Sequence, residues 1–128
     1  MTDVLTSFGG DGSARKDHLL ELAFESQELR AICEVETEAR RKLGDAVAEI
    51  LKHRLADLRS AASVEDVPAG RPRVLGDSGG RLVALDLASG YRIVIGCNHI
   101  KPPLTDGGDI NWGRVTRIKI LGVEMQHG

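Results

Sequence analysis

The run Arg81-Leu82-Val83-Ala84-Leu85-Asp86-Leu87-Ala88-Ser89-Gly90-Tyr91-Arg92-Ile93-Val94-Ile95 decides the fold class of this chain. Arg81, Val83, Leu85 and Leu87 alternate with Leu82, Ala84 and Asp86, the period of a strand buried on at least one side. Ala88-Ser89-Gly90 has the composition of a tight turn, after which Tyr91, Ile93 and Ile95 alternate with Arg92 and Val94. Two such strands joined by so short a turn form an antiparallel hairpin. Arg92 interrupts an otherwise apolar strand, where a guanidinium costs energy unless it is paired or faces water. The solvated side of a one-sided sheet satisfies it, and so does a wet groove that binds an anion.

On the N-terminal side of this hairpin the period changes. Ser26 is a good N-cap, and Leu29, Ile32, Cys33, Val35, Ala39 and Leu43 recur at three- and four-residue spacing, which predicts one amphipathic helix. Gly44 is its expected stop, and Asp45 is expected to cap a second helix with Val47, Ile50, Leu51, Leu55 and Leu58 on one face. So short a joint makes the pair an αα-hairpin. Ahead of it, His18 to Phe24 reads as a first strand, and the Gly- and Ser-rich residues 1–17 as a flexible N-terminal extension.

The segment Ala61–Arg73, with Pro68 and Pro72, reads as a loop, and Gly76-Asp77-Ser78-Gly79-Gly80 as a hairpin turn. Residues 96–114 form a long loop with paired prolines and paired glycines, of a length that usually serves function or packs on the surface. Val115 to Glu124 is the last strand, with Thr116, Ile118 and Ile120 opposed by Arg117, Lys119 and Leu121. The expected fold is therefore α+β: an N-terminal strand and αα-hairpin followed by a mostly antiparallel sheet, in one domain over residues 18–128.

A chain of 128 residues suits one core, and with 41% apolar but only 3% aromatic residues that core is mostly aliphatic. The net charge of −2 gives no global attraction to nucleic acid or to an anionic membrane. Its distribution is uneven: residues 1–70 carry a net −5 and residues 71–128 a net +3. A phosphate-binding surface, if present, belongs in the second half, although a solvated surface also accounts for the asymmetry. Arg40, Arg41 and Lys42 are offset by acidic neighbours and read as a solvated helix face, with RNA contact as the alternative.

Cys33 and Cys97 lack metal-ligand spacing, and His18, His53, His99 and His127 are scattered, so no metal site is expected. The glycine-rich piece before Arg81 lacks the lysine and following helix of a phosphate loop. No apolar run reaches the roughly 20 residues of a membrane span, and a cytoplasmic location is expected. The informative set is Arg73, Arg81, Arg92, Arg117 and Lys119, all on or next to strands whose alternate residues share a face.

Several pieces in order resemble the HigB-like, or killer-protein, branch of the RelE/ParE toxins. They are Phe24-Glu25-Ser26-x-x-Leu29-x-x-x-Cys33-Glu34, Lys42-Leu43-Gly44, and Arg54-Leu55-Ala56-Asp57-Leu58-Arg59-x-Ala61. Asp86-Leu87, Tyr91-Arg92-Ile93-Val94, Asp106-Gly107-Gly108-Asp109-Ile110-Asn111-Trp112 and Val115-Thr116 follow, so the resemblance spans about residues 20–127. It implies a toxin of a bacterial toxin–antitoxin pair, neutralised by a cognate antitoxin protein and cutting mRNA on the ribosome. Neither a metal nor a small-molecule cofactor is implied, and no membrane. The reaction is transfer of phosphate to the neighbouring ribose 2′-hydroxyl, which needs a base, a cation for the phosphorane and an acid for the leaving oxygen.

Arg92 matches the arginine of the family's Tyr-Arg strand motif, which implies stabilisation of the transition-state charge. The family's histidine-bearing run is matched by Arg71-Pro72-Arg73-Val74-Leu75, with arginine where the histidine would stand. The usual Asp-Tyr-His ending is matched by Met125-Gln126-His127, where the tyrosine is lost and the histidine kept. The implied catalytic set is thus Arg92, His127 and Arg73, with Arg71, Arg81, Arg117 and Lys119 as RNA contacts. The alternative is a non-catalytic relative, either like the gyrase-inhibiting branch or an inactive remnant, that still binds an antitoxin.

Overall fold

The computed structural model describes residues 19–126. The expected extension 1–17, His18 and His127 lie outside these. Strand β1 (Glu21–Phe24) leads into helices α1 (Gln27–Glu34), α2 (Glu36–Leu43) and α3 (Asp45–Arg59). Strands β2 (Arg73–Val74), β3 (Leu82–Asp86), β4 (Tyr91–Cys97) and β5 (Arg117–Met125) complete one sheet in the order β1-β5-β4-β3-β2. Only the β1–β5 pair is parallel. The α+β class and mostly antiparallel sheet are as the sequence predicts.

The helical part departs from the expected hairpin, because three helices replace two. Ser26 caps α1 as expected, its side-chain oxygen accepting the Leu29 N–H at 3.1 Å. The chain then leaves the helix at Val35, which is extended (φ −112, ψ 112) and exposed. Val35 stands two residues after Cys33, out of phase with the stripe that Leu29, Ile32 and Cys33 begin, and its β-branched side chain favours extended backbone. Ala39 and Leu43 restart the stripe in α2. The second break is at Gly44, whose φ of 87 suits glycine. Asp45 is the first residue of α3 rather than its cap, since Gly44 occupies that position and no side chain caps the helix.

Helices α1 and α3 cover one face of the sheet, and α2 packs against them. Leu51, Leu55 and Leu58 of α3 meet Val83 and Leu85 of β3, Ile93 and Ile95 of β4, and Ile118 and Ile120 of β5 in one aliphatic core. Each such leucine, fully buried, contributes about 1.5–3 kcal/mol relative to exposure. Trp112 closes the core from the loop side and donates its indole N–H to the Gly80 carbonyl at 3.0 Å.

The edge strand β2, which the sequence pattern left in a loop, is positioned by Gly70. Its φ is 90, its carbonyl accepts the Asp86 N–H at 2.6 Å, and a Cβ there would lie 2.7 Å from Arg54 Nε. Only glycine lets the chain pass Arg54 and lie against β3. The β2–β3 connection through Gly76–Ser78 is a hairpin, as expected.

The last strand begins at Arg117 rather than Val115 and contains a bulge. Val94 pairs with Gly122 but Ile95 pairs with Ile120, so Leu121 is an extra residue in β5. A bulge reverses the alternation beyond it. Ile118 and Ile120 face the core, and so does Val123, which packs against it. Glu124 is thereby turned to the face away from the helices.

Candidate functional site

The face of the sheet opposite the helices carries a row of charges across four strands. Asp86 on β3 is the cross-strand partner of Arg92 on β4, and Arg92 is the partner of Glu124 on β5. Arg73 on β2 sits beside Ala84, one step along the same face from Asp86. Arg71, just before β2, completes the row with a left-handed backbone (φ 48), uncommon for a residue with a side chain.

Each contact is short and charge-assisted. Arg71 places Nε at 2.7 Å and Nη2 at 2.6 Å from Asp86 Oδ2, and Arg73 Nη1 lies 3.0 Å from Oδ1. Arg73 also donates through Nη2 to Gln126 Oε1 at 2.7 Å. Arg92 directs Nε (3.1 Å) and Nη2 (2.8 Å) to one oxygen of Glu124, Oε2. Partial burial pulls the Asp86 carboxyl upward, but the hydrogen bonds from Arg71 and then Arg73, with their charges, prevail and hold it below its ordinary value.

This row brings Arg71, Arg73 and Arg92 into one cluster on the face predicted to be wet, with Asp86 and Glu124 as counter-charges. Three guanidiniums against two carboxylates leave a surplus of one positive charge. Arg92 is 22% exposed and Arg73 30%, so both are half-buried yet reachable. A partly exposed ion pair holds by no more than about 1 kcal/mol. An incoming phosphate can therefore displace Asp86 from Arg73 at small cost. On Arg92 it can bind through Nη1, which has no partner among the described residues, while Glu124 stays on Nε and Nη2.

The other expected RNA contacts do not join this cluster. Arg117 lies 3.8 Å from Glu21 and Lys119 3.6 Å from Glu25, both pairs at the β1 edge of the same face. Arg81 has no carboxylate partner among the described residues; with Lys119 it lines a separate groove of about 670 Å³ floored by Gly96 and Leu121. The excursion 98–110 walls that groove and is braced internally by the Leu104–Ile110 bridge. It is pinned by His99, whose Nε2 accepts the Thr116 N–H at 2.9 Å and the Arg117 N–H at 3.2 Å. On the helices, Arg40 pairs with Glu36, Arg41 with Glu38 and Lys42 with Glu28, so those cations are a solvated, self-neutralised face.

Sequence reasoning missed Asp86, Glu124 and Gln126. Asp86 was within reach of it, because the hairpin register through Ala88-Ser89-Gly90 puts residue 86 opposite residue 92. Glu124 was not, because strict alternation from Ile118 and Ile120 assigns it to the core face. Among the described residues no group of three or more His, Cys, Asp or Glu is arranged to hold a metal ion. No helix among them is long and apolar enough to cross a membrane. No family model, curated protein or solved structure matches this chain.

Proposed function

We propose that this chain is the toxin of a type II toxin–antitoxin pair, of the HigB-like branch of the RelE/ParE superfamily, and that it cuts mRNA on the ribosome in the cytoplasm. The observation that carries the reading is the half-buried Arg92, set in the Tyr-Arg motif of the resemblance, with Arg71 and Arg73 in the same row on the helix-free face. The ordered motifs over residues 20–127 and the element order of strand, helices and antiparallel strands support the same family. In this reading Arg92 and Arg73 bind the scissile phosphate and stabilise the phosphorane charge. His127 follows Gln126, which is hydrogen-bonded to Arg73, and supplies an imidazole for proton transfer. Arg71, Arg81, Arg117 and Lys119 steer the RNA, and a cognate antitoxin protein neutralises the toxin.

The experiment is expression of the full chain without a partner protein. Growth arrest with cut mRNA, relieved by Arg92→Ala, is the expected result; the absence of arrest overturns the toxin reading. A second reading is favoured by the carboxylate already seated on Arg92 and by arginine in the histidine position. It is a non-catalytic relative that binds an antitoxin, and either inhibits gyrase or is an inactive remnant. Arrest with intact mRNA and a DNA-damage response identifies the gyrase form.

A further inference from the structure

Cleavage by the 2′-hydroxyl needs a group to take that hydroxyl's proton, and the histidine position of the resemblance is arginine in this chain. Two carboxylates lie in the arginine row, and their surroundings differ. Both oxygens of Asp86 are engaged, Oδ2 by Arg71 and Oδ1 by Arg73, and those bonds lower its basicity. Glu124 receives both of its Arg92 bonds on Oε2, and Oε1 has no donor among the described residues. Its side chain is 50% exposed, against 26% for Asp86, so a substrate reaches it more easily. The β5 bulge at Leu121 is what delivers this carboxylate to the Arg92 face.

We propose that Glu124 is the general base of the reaction, an inference that rests on the mRNA-cleaving reading above. A phosphate bound by the Arg92 guanidinium brings the neighbouring ribose 2′-hydroxyl toward the free Oε1. Glu124 takes the hydroxyl proton, and the oxygen's electron pair forms the new bond to phosphorus. The bond from phosphorus to the 5′-oxygen breaks, and its electron pair leaves on that oxygen, which takes a proton from the general acid of the reading above. The products are a 2′,3′-cyclic phosphate and a 5′-hydroxyl, with no oxidation or reduction. Arg92 serves two ends at once, holding the base in place and stabilising the phosphorane.

The test is cleavage of a defined mRNA on ribosomes by the full chain, comparing wild type with Glu124→Gln and Glu124→Asp. The glutamine keeps the shape and an acceptor for Arg92 but is not a base. Its kcat should fall by about 10²–10⁴, the usual range for losing a general base. KM and the thermal midpoint should stay close to wild type, and the aspartate variant should retain part of the rate. Glu124→Gln cutting as fast as wild type, or faster, overturns the assignment and leaves the nuclease reading standing. A wild-type chain that leaves mRNA intact overturns both.

Discussion

Arg73 Nη2 donates to Gln126 Oε1 at 2.7 Å, joining residues 53 positions apart and tying the edge strand β2 to the end of β5. Gln126 is itself held by its backbone N–H, which donates to the Gly90 carbonyl at 2.7 Å. The turn after β3, the end of β5 and the start of β2 therefore meet at one corner of the arginine row. A small pocket lined by Asp86, Tyr91 and Gln126 marks that corner.

Gln126→Ala tests what this bond does. It removes one exposed contact, so the change in stability should stay within about 0.5 kcal/mol. Arg73 keeps Asp86 and the Arg71 carbonyl but loses its tie to the end of β5. Under the mRNA-cleaving reading, a bond worth about 1 kcal/mol corresponds to roughly a fivefold lower kcat/KM. Steady-state cleavage and a urea titration together check it, and a loss of stability without a loss of rate would contradict the positioning role.

Asp86 gives a pH dependence with a definite sign. Against the pull of partial burial, Arg71 and Arg73 hold its carboxyl below the ordinary value of 3.8 in the folded chain. A depressed folded value means the contribution is complete above the unfolded value and is lost as the pH falls from there through the folded one. Denaturant midpoints of wild type and Asp86→Asn should therefore differ by a constant amount near neutrality and converge below about pH 4. A gap that widens on acidification would contradict the arginine pairing.

How much of this was legible in the sequence depends on the element. The β3–β4 hairpin was, because alternation over both strands and a three-residue turn leave one register. The break at Val35 left only a phase slip between Cys33 and Val35, which three- and four-residue spacing absorbs too readily. Strand β2 is two residues long and rests on Gly70 slipping past Arg54, a tertiary contact with no local signature. Of the site, Arg92 and Arg73 are visible as charges near strands, but their carboxylate partners are not. Their placement depends on cross-strand register, and for Glu124 on a bulge that reverses the pattern.

Cys33 offers a check on the helical packing that is independent of function. Burial pushes its thiol up to about 11, with Arg59 pulling the other way and Glu34 adding to the rise. The thiolate is the reactive form. At pH 8 alkylation of Cys33 by iodoacetamide should be about a hundredfold slower in the folded chain than in denaturant. Mass spectrometry of the labelled peptides separates it from Cys97. Equal rates in the two conditions would mean that the cleft between α1, α2 and α3 is open.

The bulge itself yields the least intuitive expectation. Deleting a residue from a central strand normally slips the register and sends every later side chain to the wrong face. Leu121 is the exception in β5, because it alone interrupts the run of residues paired with β4 from Ile118 to Met125. Without it, Ile120 still faces Ile95, Gly122 faces Val94, Val123 faces Ile93 and Glu124 faces Arg92. Deleting Leu121 should therefore leave a folded domain, weaker by about 1–2 kcal/mol for the half-buried leucine, with the Arg92–Glu124 pair intact. Deleting Lys119, only two residues earlier, should behave differently. It would carry Ile118 to the outer face and turn Arg117 toward the core, a loss of about 3–5 kcal/mol for an unpaired buried charge. Urea midpoints of the two deletions decide it: similar losses would mean that Leu121 does not set the phase of the strand.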